Sequence, residues 1–338
     1  MELRRMFRFR NMWIGVAMLW IMFFHSGVWL ESEYLLTLKN IGYGGVDICL
    51  FASGIGCYYS LEKDPDLLRF LKRRVKRLGP VYGCFIVPWL LWRSSVSALP
   101  ARAILGNLLG IQTLVSWEYH FNWYIGGLVV YYLSIPYLKR ITDSCGNLLQ
   151  DTVVAAALFL STIPFWESGN AIVILSRMPV LYTGLVFAKM AKRGYILKKR
   201  DYFTAGSIAV MGTILLLFFR KACPDFLWSR GLYWYPFALM VPGGCIFLSL
   251  PAEWLDKHKM LHWVRCFLDT VGIYSFELYL VHVFLYEGLM PKIMERLYRI
   301  PNNLLWLATL PVVVLCTWLL NRAGVCVEHI LKKYSKKA

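Results

Sequence analysis

The stretch MWIGVAMLWIMFFHSGVWL, residues 12–30, is apolar from end to end except for His25 and Ser26. A helix needs about 20 apolar residues to cross a hydrocarbon core of ~30 Å, so this run reads as a membrane span. It follows the basic stretch RRMFRFR (4–10) and is longer than the apolar part of a secretory leader. Glu31 and Glu33 stand where the small residues of a cleavage site would be needed, so the run is read as retained. His25 is its anomaly: an imidazole in hydrocarbon costs free energy unless it faces protein or water.

The same pattern continues outward. The chain has 338 residues, 58% of them hydrophobic and 17% charged, with a mean hydropathy of +0.51. A backbone in lipid must satisfy its own hydrogen bonds, which points to an all-α, polytopic membrane protein. About ten spans are predicted, near 12–30, 41–60, 79–98, 121–138, 151–166, 171–188, 202–219, 231–250, 267–287 and 304–320. ARAILGNLLGIQTL (101–114) is too short to cross and is expected at the outer surface or as a re-entrant segment. The whole chain, 1–338, reads as one membrane domain with a basic tail from about 322 and no appended soluble domain.

A net charge of +17 suggests a nucleic-acid partner only if the charge forms one surface. Instead it falls in alternate loops: LRRMFRFR (3–10), LRFLKRRVKR (68–77), LKR (138–140), AKRGYILKKR (191–200), DKHKMLHWVR (256–265) and LKKYSKKA (331–338). FRKACPDFLWSR (219–230) and MPKIMERLYR (290–299) are imperfect exceptions. Such alternation is the positive-inside pattern and predicts both termini in the cytoplasm, with no nucleic-acid partner. Nine scattered Cys without a CxxC read as small buried apolar groups.

Counting along the spans at 1.5 Å per residue puts His25, Asp47, Arg177 and His282 in one layer of the outer leaflet. Ionisable residues at such depth face a cavity or one another and are functional candidates. The bland alternative is a self-neutralising network that fixes helix register, and Glu277, deeper in the ninth span, is assigned that kind of structural role. On the cytoplasmic side, Arg69, Lys72, Arg73, Lys76 and Arg77 recur at helical spacing and share one face. That face suits lipid headgroups or the phosphates of a nucleotide-like cofactor. Trp123 and Tyr124 open the fourth span, as interface anchors or as a platform for a sugar ring. His258 and His262 have HxxxH spacing, but no supporting carboxylate is evident and no metal is expected. There is no GxxxxGKS/T, GxSxG or HExxH.

Six stretches, in order, resemble the acyltransferase 3 membrane family: GVAMLWIMFFHS (15–26), GVDICLFASGIGCYYS (45–60), FLKRRVKRLGPVY (70–82), NWYIGGLVVYYLSIP (122–136), RMPVLYTGLVFA (177–188) and VGIYSFELYLVH (271–282). That family includes bacterial O-acetyltransferases of surface glycans, peptidoglycan and small metabolites. The resemblance implies ten membrane helices in a bacterial inner membrane, an acyl-CoA donor on the cytoplasmic side, and a hydroxylated acceptor met near the outer face. It implies that His25 is catalytic, that Arg73, Arg74 and Arg77 form a cytoplasmic arginine motif, and that Ser53 and Gly54 match a Ser-Gly motif. One departure stands out: the family's span-1 arginine is replaced by Ile14 and a nearby Asp by Asn11, as in a subgroup lacking that arginine. Arg10 or Arg177 is left to supply the cation.

The resemblance implies acyl transfer, of acetyl, to a cell-envelope glycan or exopolysaccharide. His25 is assigned as general base, Asp47 as its orienting carboxylate, and Arg177 or Asn122 as oxyanion stabiliser. Arg69, Lys72, Arg73, Arg74, Arg77 and Ser53 are assigned to acyl-CoA, and Asn122, Trp123, Tyr124 and His282 to the acceptor. An acyl-histidine route stays open. The rivals are a multi-pass transporter or flippase with a buried His/Asp/Arg relay, whose inverted repeats are not seen, and a non-catalytic membrane partner.

Overall fold

The computed structural model describes residues 1–116, 123–258, 261–297 and 300–335. Among these residues there is no strand, only an isolated bridge between Glu2 and Ile196. The main helices are α1 (Arg10–His25), α2 (Glu33–Asn40), α3 (Gly45–Lys63), α4 (Leu67–Val96) and α5 (Ala101–Leu108). They continue with α6 (Trp123–Ser144), α7 (Leu148–Leu160), α8 (Asn170–Leu175), α9 (Met178–Lys192) and α10 (Lys199–Ala222). The last are α11 (Tyr235–Lys257), α12 (His262–Ile273), α13 (Ser275–Val283), α14 (Met290–Arg296) and α15 (Asn302–Ser335). A π-helix, Phe284–Leu289, joins α13 to α14.

Six helical stretches are long and apolar enough to cross a membrane among the described residues, and a seventh is a pair bent by 69° between α12 and α13. The predicted ninth span is therefore broken, near Tyr274. Three of the six stretches, built on α7, α10 and α15, have only 11%, 11% and 17% of their most apolar window buried by protein. Phe203, Ile214, Leu307 and Val314 stand exposed on them. Apolar faces this large, on helices long enough to cross a bilayer, are faces that lipid covers. The stretch containing α3 is 83% buried and forms the interior instead. The chain is thus a polytopic membrane protein.

The interior is held by backbone-close crossings at small residues. A Cβ on Gly15 would lie 2.0 Å from the Leu268 carbonyl oxygen, and one on Gly272 would lie 1.9 Å from that of Asn11. The pair Gly54 and Gly184 brings α3 and α9 nearly as close, with a Cβ 2.4 and 2.3 Å from the Leu181 and Phe51 carbonyl oxygens. Lipid gives helices no hydrophobic reason to associate, so such contacts, which maximise packing, take over that role.

α4 has 30 residues and spans ~45 Å, longer than the hydrocarbon core, so its basic first half projects beyond it. α15, with 34 residues, likewise carries residues 322–335 as a continuation of its helix. Residues 101–114 form α5 and part of a second short helix, Gln112–Val115, turned at Gly110, whose φ of +69° favours glycine. At the C-terminal end of α9, Lys189 Nζ bonds the carbonyls of Thr142 and Cys145 and the Asp151 carboxylate (2.9, 3.3 and 2.5 Å). It thereby ties α6, α7 and α9 together.

Candidate active site

α1 ends at His25 because Ser26 turns extended, at φ −70° and ψ 142°, and its hydroxyl bonds the Phe23 carbonyl. The histidine therefore sits on the open end of an interior helix. Its Nδ1 lies 3.0 Å from the Ile21 carbonyl oxygen and 3.2 Å from Nε2 of His282. Nδ1 of His282 lies 2.7 Å from the Leu278 carbonyl. A carbonyl only accepts, so His282 carries its proton on Nδ1 and offers a lone pair at Nε2. His25 then donates from Nδ1, and its own Nε2 keeps a free lone pair. That atom lies 3.4 Å from Glu287 Oε1.

The side chain of His25 is 16% exposed and that of Glu287 35%, while His282 is fully buried. The reachable atom of the cluster is thus an unprotonated ring nitrogen, backed by a second imidazole and faced by a carboxylate. Glu287 lies on the π-helix, a feature that often marks functional sites. Just after His25 in the chain, Asn302 Nδ2 donates to the Gly27 carbonyl, and Asn303 exchanges two hydrogen bonds with the Trp29 backbone. The loop after His25 is thereby pinned to the start of α15.

The other two members of the predicted layer form a separate group. Arg177 Nε lies 3.5 Å from Asp47 Oδ2, and both side chains are excluded from solvent. The guanidinium sits between Trp123 and Trp234, with centroid distances of 4.8 and 5.1 Å, and donates from Nη1 to the Val173 carbonyl. Among the described residues no hydrogen bond or ion pair joins Asp47 to His25. Trp123 is thus occupied by Arg177, and the ring of Tyr124 lies 5.1 Å from that of Tyr279 on α13. Asn122 lies outside the described residues. Glu277 accepts from Asn321 Nδ2 at 2.8 Å, tying α13 to α15. Ser53 is partly buried on α3, one residue before the Gly54 crossing.

The basic face of α4 divides. Asp64 binds Arg73 at 2.5 Å and Arg69 at 3.0 Å, and the Arg73 hydrogen bond holds the Asp64 carboxyl below the usual carboxylate range. Lys72 and Lys76 are exposed. Arg74 turns the other way, over the rings of Phe70 and Tyr132, and its Nε is buried without a hydrogen-bond partner.

Among the described residues no group of three or more His, Cys, Asp or Glu side chains gathers as a metal site, and His258 bonds only the Trp254 carbonyl through Nδ1. A cavity of about 810 Å³ is an apolar crevice between α7, α9, α10 and α11, lined by residues such as Phe159, Phe187, Ile208 and Leu239. None of the candidate residues lines it.

Glu287 is the functional candidate absent from the sequence-based set. The signal for it was present: it is the last residue of the ninth predicted span and a lone carboxylate in VHVFLYEGLM (281–290).

A family model described as an acyltransferase domain, Acyl_transf_3, matches residues 15–322. No curated protein and no solved structure matches the chain.

Proposed function

This chain belongs to the acyltransferase 3 family and is a membrane acyltransferase, and we propose that it moves an acetyl group from cytoplasmic acetyl-CoA to a hydroxyl of a cell-envelope glycan at the outer face of a bacterial inner membrane. The observation that carries this proposal is the free Nε2 lone pair of His25, reachable and fixed in one tautomer by His282. α1 supports it further, because Arg10 begins and His25 ends that helix. Fifteen residue steps separate them by about 22 Å. A donor whose charged head stays at the basic end and whose thin arm runs beside the helix presents its thioester near the histidine.

In this mechanism the acceptor hydroxyl donates to His25 Nε2 and its oxygen attacks the thioester carbonyl. The C–O bond forms as the proton passes to the ring. The C–S bond then breaks, the sulfur leaves with the electron pair, and the imidazolium returns the proton to it. The products are an ester and coenzyme A thiol. Glu287 faces the ring nitrogen that becomes charged and stabilises the imidazolium, while His282 holds the ring in register. Asp47 and Arg177 act on the architecture beside this centre, since each satisfies the other's charge.

The test is sided. Purified protein in proteoliposomes receives labelled acetyl-CoA on one face and an envelope-glycan fraction on the other. One acylated hydroxyl per coenzyme A released supports the proposal. Thiol release without an acylated acceptor, or glycan movement without acylation, contradicts it.

A further inference from the structure

Two lipid-facing helices flank the apolar crevice. α10 packs on α11, and α7 on α9. The crevice, about 810 Å³, lies between these pairs and is lined by all four helices. Small residues leave the room: Ala155 and Ala156 of α7, Ala205 of α10 and Gly243 of α11. Phe159 and Ile208 line it and are also exposed, so it opens on the side where α7 and α10 meet lipid. Along α10 the lining runs from Arg200 to Phe219. Those 19 residue steps cover about 28 Å, close to the ~30 Å of a hydrocarbon core. An apolar space stays dry, so what fits this one is a hydrocarbon chain.

The two ends of the crevice differ. Its charged lining residues, Asp151, Arg200 and Asp201, all sit at the starts of α7 and α10. Both carboxylates are already engaged. Asp151 accepts from the Tyr182 hydroxyl at 3.0 Å and from Lys189 Nζ at 2.5 Å, and Asp201 accepts from the Lys198 backbone N–H at 2.8 Å. Arg200 forms no ion pair among the described residues, and Lys198 and Lys199 beside it are exposed. The far end is lined by Phe159, Leu215 and Phe219. A long apolar slot ending at an unpaired guanidinium complements a lipid whose chain enters the slot and whose phosphate meets the arginine.

We infer that this crevice binds one phospholipid, with its phosphate on Arg200 and an acyl chain laid between α7 and α10. The lipid bridges two helices that little protein covers. None of the residues around His25 lines the crevice, so the inference stands independently of the acyl-transfer reading.

The experiment uses the full chain, purified in detergent and stripped of lipid. Three probes are offered: palmitoyl-oleoyl phosphatidylglycerol, palmitoyl-oleoyl glycerol, which lacks the phosphate, and glycerol 3-phosphate, which lacks the chains. Native mass spectrometry should find one phosphatidylglycerol retained per chain and neither of the other two. Arg200→Gln is expected to weaken that retention about tenfold, the size of one lost charge-assisted contact. Thr204→Trp sets an indole into the crevice from an exposed lining position and should abolish retention with Arg200 intact. Phosphatidylglycerol carrying a diazirine in its tail should label the lining segments of α7 and α10 in wild type. Were Thr204→Trp not to fold, Arg200→Gln and the label decide.

Retention unchanged in Arg200→Gln, or a label that falls outside the crevice, overturns the site. Glycerol 3-phosphate held as tightly as the phospholipid would make it a free-anion site, and palmitoyl-oleoyl glycerol held as tightly would remove the headgroup contact. Cross-links between two copies of the chain through crevice residues would mean that a helix of a second copy fills it. Each of these results contradicts the inference.

Discussion

Nε2 of His282 lies 3.2 Å from Nδ1 of His25 and accepts its proton-bearing side. The buried ring thereby decides which nitrogen of the half-open ring is left basic. The basic nitrogen faces Glu287, so a carboxylate stands ready where positive charge develops. Glu287→Gln keeps the shape and removes the charge. It is expected to lower kcat about 10-fold to 100-fold while the KM for acetyl-CoA stays put. Steady-state kinetics on purified protein measure both. A higher donor KM with unchanged kcat would move Glu287 out of the chemistry.

Asp47 and Arg177 are sealed from solvent as a pair, with Arg177 held between two tryptophans. Removing one partner strands the other charge in a low-dielectric interior. Asp47→Ala is therefore expected to destabilise the protein by about 3–5 kcal/mol, whereas Asp47→Leu combined with Arg177→Met should restore most of the loss. Thermal unfolding of the single and double variants in detergent checks this. A single variant as stable as wild type but inactive would instead assign the pair to catalysis.

Asp64 gives a pH signature at the basic end of α4. Its carboxyl is held below the ordinary value of 3.8 by the hydrogen bond from Arg73. A depressed carboxylate stabilises the fold above its unfolded pKa, and the contribution disappears as pH falls through the lowered, folded one. Wild type should therefore melt above Asp64→Asn at neutral pH, and the gap should close only as pH falls below 3.8. Melting curves across that range decide it. A gap that persists at the acid end would mean that the charge of Asp64 is not its source.

Much of the architecture was legible because apolar runs report length directly, and His25 stood out because it is the one ionisable residue in an apolar run, 12–30. Azimuth was less legible. Counting residues put Asp47 at the depth of His25, but depth says nothing about which way α3 turns its side chains, and Asp47 turns to Arg177. Glu287 was hidden by register. Five residues after His282, α-helical counting turns it about 140° away, whereas the π-helix changes that register and brings the carboxylate to His25, the partner of His282. On α4, helical spacing united five basic residues on one face, but Asp64 claims Arg69 and Arg73. Arg74, off that face, turns inward instead. Asp64 precedes α4 and Tyr132 lies on α6, so spacing within α4 does not reveal these partners.

The most direct measurement is the turnover of His25→Asn, purified and reconstituted beside wild type, with labelled acetyl-CoA. Asparagine fills much of the same space but cannot take a proton from the acceptor. Transfer should fall about 10²- to 10⁴-fold while the protein still binds the donor. Transfer at the wild-type rate would contradict the assignment of His25 as the base and, with it, the mechanism.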